Sequence, residues 1–173
     1  TIGGFEYASE LVEFINSKKE WSVAVAGYPE GHIENRDLGK DIEYLKIKVD
    51  SGADFIITQL YFDNEDFYRF RDKAVEKGIN IPIVPGIFPI LKFKAIQRIT
   101  SLCGAKIPAD LFKNLEKVQD NQEEIEKVGI DHSIKQLDNL LDNEIPGVHF
   151  YSMNKSVEIK RIYDAVSSKI RRI

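Results

Sequence analysis

A few short stretches carry residues whose types and spacing could do chemistry. "VAVAGYPEGH", residues 23–32, runs apolar and then delivers Tyr28, Pro29, Glu30, Gly31 and His32 in succession. Pro29 biases Tyr28 toward extended geometry and Gly31 lets the backbone turn, so Tyr28 and His32 can project over a planar ligand or toward a phosphate. The plain alternative is a surface turn with a solvated histidine. "FIITQLYFD", residues 55–63, sets Gln59 inside an otherwise apolar run. A carboxamide buried there costs about 1–3 kcal/mol if unpaired, so it must bond to protein, water or a ligand. "HFYSMNK", residues 149–155, brings Ser152, Asn154 and the cation of Lys155 to a rim, while His149 alternates with Phe150 and reads as a core residue. Asp41 and Lys48 lie two helical turns apart on one side of a helix, where a solvated charged face is the ordinary explanation.

Other chemistries find no support. There is no GxGxxG, GxxxxGK[ST] or GxSxG, and His32, His132 and His149 lack metal-ligand spacing, so no metal is expected. Cys103, the single cysteine, excludes an internal disulfide, fits a reducing compartment and reads as a small buried apolar residue. A net charge of −4 leaves no electrostatic footprint for nucleic acid. The longest apolar run, residues 81–91, carries three prolines and falls far short of the roughly 20 residues of a membrane helix. These features point to a cytoplasmic protein with neither a nucleic-acid nor a membrane partner. At 173 residues, 43% hydrophobic, the chain can bury a core, and it reads as one domain over residues 1–173.

Short apolar runs alternate with amphipathic ones, the pattern of βα units. The strands are expected at residues 22–28, 55–62, 81–87 and 148–153, nearly continuous in apolar residues and so covered on both faces. Helices are expected to pack on the sheet from residues 5–19, with a stripe of Phe5, Ala8, Leu11, Val12 and Ile15, and from residues 41–51, and another helix is expected over residues 63–78, from cap-competent Asp63 and Asn64 to Gly78. Further helices start near Phe93, at Pro108, and at Asp120 with Glu123 as a capping box, the last of them bent or broken at Gly129. Chemistry in parallel α/β folds collects at the carboxyl ends of the strands, where the stretches above lie; "VPGIFPI", residues 84–90, would shape a wall there. Four strands make either a small doubly wound sheet or half of the eight in a (βα)8 barrel.

In order and spacing, "VAGYPEGH", "LKIKVDSGADFIITQLYFD", "IPIVPGIFPI" and "GVHFYSMN" resemble the methylenetetrahydrofolate reductase family, over nearly the whole chain. The resemblance implies an α/β fold of parallel βα units forming the second half, strands five to eight, of a TIM-type barrel. It implies FAD at the carboxyl ends of the strands, NADH or NADPH as reductant, and reduction of 5,10-methylenetetrahydrofolate to 5-methyltetrahydrofolate, in one-carbon metabolism and methionine biosynthesis. Carried over residue by residue, Tyr28 and His32 line the FAD site, Asp41 and Lys48 reach its adenosine and phosphate portion, and Gln59 hydrogen-bonds the folate pterin. Lys155 stands where the family commonly has an arginine for the folate tail; lysine supplies the charge without the bidentate fork. Ala95, Tyr44 and Ile47 replace polar residues that some members use.

The family's general-acid glutamate lies near its first strand, so the resemblance places no catalytic residue in this chain. The chain is then an incomplete catalytic barrel of a larger parent, inactive alone, completed in a homo-oligomer or by a partner supplying the first half-barrel. The alternative, of a different class, is a non-catalytic half-barrel serving as a binding or assembly module. In either case uncovered apolar faces and strand edges would make the isolated chain self-associate.

Overall fold

The computed structural model describes residues 4–35 and 37–170. The strands are β1 (Ala24–Gly27), β2 (Phe55–Thr58), β3 (Ile83–Val84), β4 (Gly86–Ile87) and β5 (His149–Phe150). The helices are α1 (Ala8–Asn16), α2 (Leu38–Asp50), α3 (Asn64–Glu76), α4 (Phe93–Cys103), α5 (Ala109–Lys117), α6 (Gln122–Asp142) and α7 (Ser156–Val166). Every strand pairing is parallel: β1 with β2, β2 with β3, and β4 with β5. β3 and β4 occupy the third expected strand, split at Pro85, which has no N–H for a ladder. The N–H of Gly86 beyond the break is taken up by Thr58 Oγ1 at 2.9 Å. Strand order follows chain order, so the described strands have no reversal of the kind that makes the switch point of a doubly wound sheet. Consecutive parallel βα units of this kind are consistent with a TIM-barrel-like fold.

One face of the sheet packs on α2 and α3. Val25 of β1, Ile56 of β2 and Ile83 of β3 join Ile42 and Leu45 of α2 and Phe67, Phe70 and Ala74 of α3 in one core. On the other face of β1, Ala24 and Ala26 are exposed. At β1 the coverage of both faces expected from the apolar runs is not found: among the described residues no layer lies over that side, whereas Phe55 and Ile57 of β2 are half-buried and both residues of β4 are buried. A second core joins Ile90, Phe93 and Ile96 to Leu111 and Leu115 of α5 and Ile125 of α6.

Three helix expectations need correction. On α1 only Val12 is buried, while Phe5, Leu11 and Phe14 are about half exposed, so most of that stripe does not pack on the sheet. α6 is capped by Asn121, not Asp120; its side chain accepts from the N–H groups of Glu123 and Glu124 at 3.1 and 3.3 Å. Gly129 does not break α6, which runs continuously through it. It is there because a Cβ would sit 1.8 Å from the carbonyl oxygen of Ile90. The helix is pressed against the chain just beyond β4.

Candidate functional site

The site grows from the carboxyl ends of β1 and β2. Along these strands alternate side chains share a face, and Tyr28 and Gln59 continue the rows of Ala24–Ala26 and Phe55–Ile57, the faces turned away from the helices. Register ties the two ends together: the Gln59 N–H donates to the Gly27 carbonyl at 2.7 Å. Beyond Tyr28 the chain turns, with the Gly31 N–H donating to the Tyr28 carbonyl at 3.0 Å. The turn sets the His32 ring edge-on to Tyr28, centroids 4.7 Å apart and planes at 82°. Glu30 anchors the same turn from below: its carboxylate accepts the Lys106 N–H, at 3.0 Å to one oxygen. Tyr28, His32 and Gln59 share a cavity of about 290 Å³ whose apolar wall includes Ile99, Leu102 and Cys103 of α4.

α2 carries a charged pair beside this cavity. Asp37 caps the helix, accepting from the Gly39 and Lys40 N–H groups at 3.0 and 3.3 Å, and so fixes Asp41 in the first turn and Lys48 two turns on. Neither residue belongs to a solvated face. Asp41 is 7% exposed, and its carboxyl is pushed above the usual range by burial, with Lys48 and His32 pulling the other way. Lys48 donates to the Ala26 carbonyl at 2.7 Å and lies 5.7 Å from the centroid of the Tyr28 ring. Burial lowers its pKa, and the charge of Asp41 partly restores it. Burial, then Asp41, raise that of the Tyr28 phenol. No salt bridge within 4.0 Å joins Asp41 to Lys48 among the described residues, so each charge keeps capacity for another partner.

The carboxamide of Gln59 is half satisfied by protein: Oε1 accepts the Leu60 N–H at 2.9 Å. Nε2 has no hydrogen bond among the described residues, which leaves its two donors for a ligand beside the cavity. Lys155 stands apart. It is the exposed N-cap residue of α7, beyond the left-handed pair Met153 and Asn154, and it does not line the cavity.

Linear spacing does not mark Tyr151. Its hydroxyl donates to the Thr58 carbonyl at 2.9 Å, bridging β5 to the end of β2, and its ring packs edge-on to His149 at 4.7 Å. His149 is thus half-buried at the sheet edge rather than in the core. Burial, then Tyr28 and Cys103, raise the Tyr151 pKa. Gly86 makes room for that bridge: a Cβ there would lie 2.3 Å from the Thr58 oxygen and 2.7 Å from the Tyr151 ring. Cys103 is half-buried, packed against the second core and forming part of the cavity wall. Among the described residues no group of three His, Cys, Asp or Glu side chains could hold a metal ion, and no helix is long and apolar enough to cross a membrane.

This arrangement can bind a ligand with a flat ring and an anionic arm. The aromatic ring and carboxamide face a partly apolar cavity, and the ammonium and buried carboxylate stand at its edge.

Comparison with known proteins gives the arrangement a context. A sequence model of the methylenetetrahydrofolate reductase family matches residues 1–167. The chain is 39% identical over 163 residues to methylenetetrahydrofolate reductase 1 of Schizosaccharomyces pombe, covering 93% of this chain and 27% of that protein. With methylenetetrahydrofolate reductase (NADH) 1 of Arabidopsis thaliana the identity is 41% over 163 residues, covering 88% of this chain and 28% of the relative. A probable methylenetetrahydrofolate reductase (NADPH) of Caenorhabditis elegans is 39% identical over 158 residues, 90% of this chain and 24% of its own. The chain thus spans about a quarter of the length of these relatives. In fold it is similar to an uncharacterized protein from Clostridium thermocellum that binds two copies of 5-methyl-5,6,7,8-tetrahydrofolic acid, with a TM-score of 0.62, 21% identity, and coverage of 94% of this chain and 59% of that one. With a family model running through all but its last few residues, this chain belongs to the methylenetetrahydrofolate reductase family.

Proposed function

We propose that this chain forms a single unit, strands five to eight of a (βα)8 barrel. In the completed barrel it serves a flavin-dependent reductase that takes 5,10-methylenetetrahydrofolate to 5-methyltetrahydrofolate with NADH or NADPH. The observation that carries the reading is the cavity shared by Tyr28, His32 and Gln59 at the carboxyl ends of parallel strands, in a chain of this family. The names of the relatives, two of which specify NADH and NADPH, support the reductase and its reductant.

The donor set fits FAD. Lys48 keeps ammonium hydrogens beyond the one given to Ala26, for a pyrophosphate. The buried carboxylate of Asp41 suits a ribose hydroxyl, and Tyr28 and His32 offer a ring surface. When bound, FAD supplies hydride transfer between nicotinamide and folate. The residues of this chain bind and orient. Gln59, held at Oε1 by Leu60, turns the donors of Nε2 to acceptor atoms of the pterin; Lys155 gives a cationic rim to the folate carboxylates. The proton for the opening ring is assigned to the other half of the barrel, so this chain alone is inactive.

The test is the full-length enzyme assayed for NADH and NADPH oxidation driven by 5,10-methylenetetrahydrofolate. Wild type turns over, and Gln59→Ala raises the folate KM by about tenfold or more, the size of a lost buried hydrogen-bond pair. Absence of folate-driven turnover in the wild-type enzyme overturns the reading.

A further inference from the structure

Helix α6 reaches the candidate site through its backbone partners rather than through the cavity. His132 and Gln136 lie one turn apart on the same side of α6 and grip successive residues just beyond Gln59. The Gln136 Nε2 donates to the Tyr61 carbonyl at 3.0 Å, and the His132 Nε2 is hydrogen-bonded to the Phe62 carbonyl at 3.0 Å. Asn64, the first residue of α3, ties back to the same turn of α6, its Nδ2 donating to the Gln136 carbonyl at 2.9 Å. α6 is itself seated by Gly129 against the Ile90 carbonyl. The chain from Leu60 to Asn64 is therefore held between the end of β2 and a fixed helix, and Leu60 supplies the N–H that orients the Gln59 carboxamide.

Stability alone is a poor reason for this device. Gln136 is 5% exposed, and its Oε1 is buried without a hydrogen-bond partner, as is the hydroxyl of Tyr61. A side chain that leaves one buried acceptor unpaired in order to place one N–H on a loop carbonyl gains little over an apolar residue of the same volume. What the amide adds is direction: it fixes the peptide plane that carries the Tyr61 carbonyl, as His132 fixes the one that carries the Phe62 carbonyl.

We infer that His132 and Gln136 are positioning residues that set the carboxamide of Gln59 for the pterin by clamping the chain that follows it. The inference rests on the proposed role of Gln59. Neither residue touches the cavity that Gln59 lines, so each must act through Gln59.

A double-mutant cycle tests it, with 5-methyltetrahydrofolate titrated calorimetrically into the FAD-loaded full-length enzyme. Gln136→Met conserves volume and removes the donor; it weakens folate binding about three- to tenfold in the wild-type background and less than about twofold in the Gln59→Ala background. His132→Leu behaves likewise, and His132→Gln, which can still donate to the Phe62 carbonyl, recovers most of the affinity. If Gln136→Met does not fold, the cycle is run with His132→Leu. Equal weakening in both backgrounds, or none in either, overturns the inference while leaving the folate role of Gln59 intact. A Gln59→Ala enzyme that binds folate as tightly as wild type overturns that role, and the inference falls with it.

Discussion

Asp41 and Lys48 set the terms at the scale of single residues. A buried carboxylate is retained at a cost to the free protein, because desolvation penalises its charged form. The sign of the linkage follows. With its folded pKa raised, Asp41 contributes stability that is present below the ordinary carboxylate pKa of 3.8 and lost as pH rises through the folded value. Asp41→Asn removes that penalty. Near neutral pH its thermal midpoint stays level or rises, while the full-length enzyme's affinity for FAD drops about tenfold, the worth of a hydrogen bond to a charged acceptor. Calorimetry of the folded protein and flavin titration check the two halves; a destabilised variant with undiminished flavin affinity contradicts the assignment. Of these residues, Tyr28, His32 and Gln59 stood out in the sequence because each is polar where the pattern demands apolar or turn residues. The burial of Asp41 and Lys48 did not, since two charges two turns apart look alike whether they face water or a strand end. Tyr151 was hidden for the opposite reason: an aromatic residue in an apolar run gives no sign that its hydroxyl crosses to another strand.

At the scale of elements, close backbone approach does the positioning. The Gly86 backbone passes under the Tyr151 ring and against the Thr58 carbonyl, which lets β4 and β5 lock to the end of β2. Gly86→Ala forces atoms into that contact and costs about 1–3 kcal/mol, read from urea unfolding. A change within about 0.5 kcal/mol means that the bridge is slack. From α1 to the fourth expected strand the order and type of the elements were legible from periodicity, but the split of the third strand at Pro85 and the closing helix α7 were not read from it. Strand ends were overestimated, because apolar residues such as Leu60 and Phe62 continue the run past the last ladder pair, and they are buried against α4 and α5 instead. Gly129 misled in the same way: propensity marks it as a helix breaker, whereas its actual constraint is a carbonyl belonging to another part of the chain.

For the whole molecule, what matters is what one-sided burial leaves uncovered. Ala24 and Ala26 of β1 are open on the face away from the helices, and Phe5, Tyr7, Leu11, Phe14 and Trp21 expose apolar surface around α1. In the barrel proposed above, the free face becomes the interior and the edge strand gains a neighbour. The chain covers about a quarter of the relatives, so the proposed other half of the barrel has sequence to draw on in them. In the function proposed above, this chain supplies the cofactor's grip through Lys48 and its neighbours. The visible spectrum of the purified full-length protein tests it most directly. Flavin absorbance that co-purifies with wild type and is lost in a folded Lys48→Met variant is the predicted result; a colourless wild-type protein that takes up no added FAD, or a Lys48→Met protein that retains it fully, contradicts the claim.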